Sequence, residues 1–276
     1  MTEQANAQAT AHASRMPALF VGHGSPMNAI ENNRFTAGWV EMGKRLARLP
    51  ERPRAIVAVS AHWMSERPSV RTELAERQVN DMYGFPQALY DISYAPDGDP
   101  ALARRIIDAS DGALVADNGW GLDHGLWTPL YRLFPEGDVP VVPVSVAPRL
   151  SAERHFEIGR LLRPLRDEGV LVMGSGNVVH SFKYASPAHA DSLLPWAEQV
   201  DAEVRDAVVG HDWSRVANYR EFGKDIRKAF QTTEHYLPLP AVLGAAWEDE
   251  PVEVWNEGGQ LGSFSMTSYA FGMPEA

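Results

Sequence analysis

The side chains best suited to chemistry in this chain are its imidazoles, and five of the nine histidines share one kind of setting. His23, His62, His124, His180 and His235 each stand at the end of an apolar run or in a tight or glycine-bearing turn. The other four, His12, His155, His189 and His211, fall in an Ala-rich leader, in helical stretches or in polar loops. There is no cysteine, which removes disulfides, thiolate zinc sites, iron–sulfur clusters and a cysteine nucleophile together. A metal would therefore be held by imidazole and carboxylate, and Glu234 and Asp123 are the carboxylates adjacent to these histidines. Two imidazoles and a carboxylate with open positions suit non-haem Fe(II) and oxygen chemistry. Three imidazoles and a water suit zinc hydrolysis instead. Residue types alone leave both open. Other catalytic patterns are missing: Gly174-Ser175-Gly176 lacks the spacing of a nucleophile elbow and reads as a tight turn, and no phosphate-binding or dinucleotide-binding glycine motif occurs.

The elements that must carry these histidines are apolar strands. Ala18-Leu19-Phe20-Val21 runs straight into Gly22-His23-Gly24-Ser25-Pro26, as a strand buried on both faces would. Residues 54–62 and 169–180 repeat the pattern, each ending on a histidine. A helix over residues 35–49, apolar at Phe35, Trp39, Met42 and Leu46, separates the first two strands. A right-handed crossover then delivers His23 and His62 to one edge of a sheet, where open α/β folds bind their ligands. Residues 139–146 are also β-rich, but Pro140 and Pro143 point to irregular or edge pairing. Helices are expected over residues 100–112, 128–134, 151–165, 192–208 and 215–228, and antiparallel strands over 252–255 and 262–269. Residues 70–94 form an aromatic-rich loop, either packed on the surface or binding substrate. The expectation is one α/β domain over residues 17–276, with a central mostly parallel or mixed sheet flanked by helices, behind a disordered leader over residues 1–16.

The net charge of −11 argues against nucleic-acid and anionic-membrane partners. No apolar run approaches the ~18–20 residues of a membrane span. The leader lacks the apolar segment of a signal peptide, which makes the cytoplasm the default compartment. A monomer or small homo-oligomer is expected.

Taken in order, Gly22-His23-Gly24-Ser25-Pro26, Ser60-Ala61-His62-Trp63, Gly121-Leu122-Asp123-His124-Gly125, Gly174-Ser175-Gly176-Asn177-Val178-Val179-His180 and Glu234-His235-Tyr236-Leu237-Pro238-Leu239 form a set. This set resembles the class III (LigB-type) extradiol ring-cleavage dioxygenases, in their 4,5-DOPA extradiol dioxygenase-like branch. The resemblance extends over nearly the whole chain after Met16. It implies a divalent metal, Fe(II) in the active enzyme and Zn(II) in many isolated proteins. By resemblance the ligands are His23, His62 and His235, with Glu234 as the alternative third ligand. His180 matches an acid–base histidine, with a fourth-ligand position open to it on zinc, and His124 matches a substrate-facing one. The implied reaction opens the ring of a substituted catechol beside the diol with O2, and Trp63, Tyr83, Phe85 and Tyr90 are candidates for an apolar wall. One departure stands out. Relatives carry His-Pro upstream of the acidic residue and histidine of the last motif, whereas this chain has Phe230-Gln231-Thr232-Thr233-Glu234-His235. A zinc-dependent hydrolase and a non-enzymatic metal-binding relative are the competing readings.

Overall fold

The computed structural model describes residues 15–274. Eight strands form one mixed sheet in the order β4-β3-β5-β2-β6-β1-β10-β7. They are β1 (Ala18–Gly22), β2 (Ala55–Met64), β3 (Ser69–Val70), β4 (Val115–Ala116), β5 (Val141–Val146), β6 (Val170–Gly176), β7 (Val252–Trp255) and β10 (Ser268–Phe271). A separate ribbon joins β8 (Gly259–Gln260) to β9 (Phe264–Ser265). Strands β5, β2, β6 and β1 are mutually parallel, β10 adds antiparallel to β1, and β7 adds antiparallel to β10.

The helices of eight or more residues are α1 (Arg34–Ala47), α2 (Pro100–Ala109), α3 (His124–Leu133), α4 (Ala152–Leu162), α5 (Pro195–Val209) and α6 (Pro238–Ala245). Successive strand residues point to opposite faces, and here both faces are covered. Leu19, Val21, Ile56 and Ala58 pack under α1 and α3 on one side. Ala18 and Phe20 meet α5 and α6, and Val57 and Val59 meet α2, α4 and α6, on the other. This double burial is why the parallel strands read as continuous apolar runs rather than alternating ones. Helix α1 starts where Asn33 accepts hydrogen bonds from the Phe35 and Thr36 amides while Thr36 reaches back to the Asn33 amide. No helix of the described residues is long and apolar enough to cross a membrane.

Several sequence expectations need correction. Strand β5 lies inside the sheet, not at its edge. The Pro143 carbonyl accepts from the Arg71 amide at 3.1 Å. Its nitrogen therefore faces the two-residue β3, where the ladder is too short to need another donor. Gly174-Ser175-Gly176 is the end of β6 and not a tight turn. The α-helical part of α4 stops at Leu162, because Pro164 brings no amide and residues 163–168 tighten to a 3-10 turn. The helix expected over 215–228 breaks into short pieces, Trp213–Ala217 and Ile226–Ala229, on either side of Gly223. The C-terminal run 262–269 divides between β9 and β10. Of the leader, residues 1–14 lie outside the described residues, while Met16 is buried and its amide donates to the Arg166 carbonyl.

Arg166 ties this end of the molecule together. Its fully buried guanidinium donates to Glu250 at 2.7 and 2.8 Å, to the Met16 carbonyl at 2.7 Å and to the Ala245 carbonyl at 2.8 Å. Removing one partner of such a pair strands the other charge in the core. Arg166→Met is expected to lower unfolding free energy by about 3–5 kcal/mol in urea titrations, with part recovered in Arg166→Met/Glu250→Gln. Equal loss in the single and double variants would show that the backbone contacts, not the charge pair, carry the stability.

Candidate metal centre

His23 leaves the end of β1, its amide donating to the Gly176 carbonyl at 3.1 Å. His62 stands near the end of β2, the neighbour of β6 on its other side. His235 precedes α6, and its carbonyl accepts from the Asn177 amide at 2.8 Å, which lays this segment across the end of β6. That approach requires glycine. A Cβ on Gly176 would stand 2.1 Å from the His235 carbonyl oxygen, and one on Gly174 would stand 2.7 Å from that of Pro238. The three imidazoles thus converge beyond the carboxyl ends of the central strands, at the position where open α/β sheets bind ligands.

Their Nε2 atoms face one another. His62 Nε2 is 3.2 Å from His23 Nε2 and 3.3 Å from His235 Nε2. Each ring's Nδ1 is already engaged. His23 Nδ1 lies 3.0 Å from Ser175 Oγ, whose proton goes to the Gly125 carbonyl, so His23 must be the donor. His62 Nδ1 lies 3.1 Å from Asp81 Oδ2, and His235 Nδ1 lies 3.2 Å from Glu234 Oε1. With Nδ1 protonated in all three, assigned from these partners, the Nε2 atoms present three lone pairs to one point. Lone pairs at such spacing repel unless a cation lies between them. Two nitrogens ~2.1 Å from a common ion and ~100° apart at it would be separated by about 3.2 Å, so the donor set fits a divalent metal. Glu234 Oε2 points the same way: it is buried without a hydrogen-bond partner among the described residues, a position an adjacent cation would make tolerable.

Electrostatics favour the neutral form in two of these rings. Burial, with the surrounding imidazoles, holds His23 and His235 well below the ordinary histidine range. Burial also disfavours a charge on His62, but the Asp81 hydrogen bond and the nearby Asp123, Asp81 and Glu234 carboxylates outweigh it and raise that group. Against the effect of its own burial, Asp81 is held far below the usual carboxylate range by hydrogen bonds from His124 and His62.

His124 opens α3 and hangs from the same carboxylate: Asp81 Oδ1 accepts from its amide at 2.9 Å and from its Nδ1 at 2.8 Å. Asp123, a carboxylate adjacent to a histidine in sequence, does not turn toward the three nitrogens. It caps α3, accepting from Ser60 Oγ, Trp120 Nε1 and the Leu126 amide. His180 follows β6 and lies flat on His235, ring centroids 3.5 Å apart and planes 5° from parallel. Its close set of potential donors is Glu234 and His235, distinct from the set His23, His62 and His235. Burial, then His62 and His124, push its imidazole down to about 3.

The chain matches the LigB family, described as the catalytic LigB subunit of aromatic ring-opening dioxygenase, over residues 9–272. It belongs to the LigB family. An Escherichia coli K12 protein named 4,5-DOPA dioxygenase extradiol is 40% identical over 265 residues, covering 94% of this chain and 96% of that one. A Beta vulgaris protein of the same name is 34% identical over 257 residues, covering 92% and 95%. The crystal structure of an uncharacterized Escherichia coli K12 protein superposes with a TM-score of 0.79 at 38% identity, covering 93% of this chain and 99% of that one. The single α/β domain with its mixed sheet is therefore shared. Relatives named as extradiol dioxygenases make this an enzyme of that kind, and none of them supports the zinc-hydrolase alternative.

In this LigB-family enzyme the imidazoles open onto a cavity of about 550 Å³. Of the aromatics expected to wall it, Tyr83 and Phe85 do so. Trp63 is instead buried in the body of the domain, and the Tyr90 hydroxyl accepts from the Phe85 amide behind the wall. Sequence reasoning missed Asp81 and the role of Ser175. Asp81 sits in an aromatic loop with no periodicity to single it out, and Ser175 was visible only as a failed nucleophile motif. Gly125 had a motif but no stated reason: a Cβ there would stand 2.6 Å from His62 Cδ2 and 3.4 Å from His23 Cε1. Gly125→Ala is expected to displace the His62 ring and weaken metal binding by about 10–100-fold, the range seen when a ligand's support is lost. Unchanged affinity in a competitive chelator titration would show that the helix start yields instead.

Proposed function

We propose that this enzyme opens the aromatic ring of a substituted catechol beside the diol with O2, using a divalent metal held by His23, His62 and His235. The observation that carries the reading is the convergence of three Nε2 lone pairs whose rings are each fixed from behind at Nδ1. When bound, Fe(II) would supply a Lewis acid for the two diol oxygens and a redox partner for O2, and Zn(II) the former alone. The relatives named for 4,5-DOPA support a dihydroxyphenyl substrate.

The chain's own residues divide the remaining work. His180 is the acid–base group: neutral, at the cavity wall, and stacked on a ligand ring, it takes the proton of the second hydroxyl and later returns it to the opened product. Its parallel packing on His235 favours this role over a fourth-ligand role. His124, whose Nδ1 is committed to Asp81, offers Nε2 as an acceptor to a substrate hydroxyl. Glu234 orients His235 through Oε1 and receives the Thr232 hydroxyl at 2.8 Å, which supports His235 over Glu234 as the ligand. Phe182 and Phe264, with centroids 5.1 and 4.8 Å from that of His180, keep water from its ring.

Protein purified without oxygen and reconstituted with Fe(II) should consume O2 and form a yellow ring-opened product across a catechol panel. Oxygen-independent hydrolysis with zinc that iron does not improve would overturn the reading. So would metal binding with no turnover of any catechol.

A further inference from the structure

One buried carboxylate takes no part in the site described above. Asp201, on α5, is buried against the segment that runs from β9 into β10. Its Oδ1 accepts from Ser265 Oγ, and its Oδ2 accepts from Thr267 Oγ1 at 2.6 Å. Among the described residues no cation closes on it, since the neighbouring Arg205 is paired with Asp206 and Glu257. Burial pushes its carboxyl up to about 6, against the two hydroxyl hydrogen bonds. Near neutral pH the carboxylate therefore prevails, and both hydroxyls donate to it. Each hydroxyl also accepts from a backbone amide, Ser265 Oγ from Thr267 at 3.3 Å and Thr267 Oγ1 from Gly258 at 3.2 Å. Their direction is fixed from both sides. Hydrogen bonds to an ionised acceptor in a low local dielectric are among the stronger ones in a protein.

The segment anchored in this way touches the acid–base histidine. Phe264, next to Ser265, packs on the His180 ring with 4.8 Å between centroids. Among the described residues neither ring nitrogen of His180 makes a hydrogen bond, so its direction is set by the rings of His235, Phe182 and Phe264. Phe182 is 73% exposed and can yield, whereas Phe264 is 6% exposed and is the firm neighbour. Ser265 also ties this segment to the end of β6: its amide donates to the Val179 carbonyl at 2.9 Å, and its carbonyl accepts from Asn177 Nδ2 at 2.6 Å. We infer that Asp201 is a positioning residue for ring opening: through Ser265 and Thr267 it holds residues 264–267 where Phe264 keeps the His180 ring flat on His235. This rests on the ring-opening reading and adds to it a residue that touches neither the cavity nor the metal-facing histidines. Without the carboxylate, the two hydroxyls lose the acceptor that draws the segment to α5. Phe264 then drifts, and a proton-transfer group misplaced by about 1 Å can lose about 100-fold in rate.

The test uses Fe(II)-loaded enzyme and a catechol that the wild type turns over. Asp201→Ala removes the acceptor for both hydroxyls and should lower kcat by about 10–100-fold, with metal content and KM near those of the wild type. Asp201→Asn keeps an acceptor for one hydroxyl and should recover part of the loss. Phe264→Leu should also lower kcat, and adding Asp201→Ala to it should cost little more, because the ring through which Asp201 acts is already gone. Should Asp201→Ala fail to fold, Thr267→Val, which removes one anchor and keeps the shape of the side chain, carries the same comparison. Unchanged kcat in the folded variants would overturn the inference while leaving ring opening intact. Full additivity with Phe264→Leu, or metal loss in proportion to kcat, would overturn it equally. Absence of turnover in the wild type would remove the ring-opening reading and this inference with it.

Discussion

His62→Ala is expected to lose its metal: content should fall below about one-tenth of an equivalent after dialysis, and turnover by at least about 10³-fold. Losing an outer partner of a ligand costs about 10–100-fold in affinity, and removing the ligand itself must cost more. The expectation has a second part. Without metal, the wild type holds the His62 lone pair within hydrogen-bonding distance of both the His23 and His235 Nε2 atoms, which is unfavourable. Deleting one ring relieves that repulsion, so the metal-free variant should unfold at or above the wild-type temperature. Adding metal should raise the wild-type Tm, since a ligand that binds only the folded state stabilises it by mass action, and should leave the variant unmoved. Stoichiometric metal in His62→Ala, measured by elemental analysis, would put the centre elsewhere, and the set His180, Glu234 and His235 would be its next candidate.

His180→Ala is expected to behave in the opposite way. Metal content should stay near that of the wild type, while kcat falls by about 10²–10⁴-fold, the range for a lost acid–base group. KM should change little, because a group that acts mainly in the transition state lowers kcat and kcat/KM together. The structural basis is the flat stacking on His235, which puts the His180 ring beside the cluster rather than in it. Replacing a stacked ring also removes packing, so His180→Phe is the control: it restores the stack without the nitrogen. If His180→Phe regains turnover, the role is packing. Metal loss in His180→Ala matching that of His62→Ala would move His180 among the ligands.

The sequence by itself determined much of this protein. Apolar runs ending in Gly22-His23 and Ala61-His62 marked doubly buried parallel strands that deliver imidazoles to one sheet edge. A strand's burial and its polar terminus are local patterns, written in consecutive residues. The absence of cysteine restricted any metal to imidazole and carboxylate for an equally simple reason, the inventory of donors. The five histidine motifs in order supplied the family.

What only the tertiary structure decided is how those imidazoles are aimed. Only His235 is fixed by its sequence neighbour, Glu234; His23 is fixed by Ser175, 152 residues away, and His62 and His124 by Asp81 from a separate loop. A carboxylate in an irregular loop leaves no periodic trace, so Asp81 could not be read in advance. Likewise Gly174 and Gly176 looked like a turn, and only the passage of the 235–238 backbone over β6 shows that they make room for His235. The aromatic lining of the cavity is decided in the same way. Trp63 and Tyr90 were as aromatic as Phe182 and Phe264, but which aromatics face the cavity depends on segments that meet only when the chain is folded. Residue type gives the chemistry available, whereas direction and neighbours come from long-range packing.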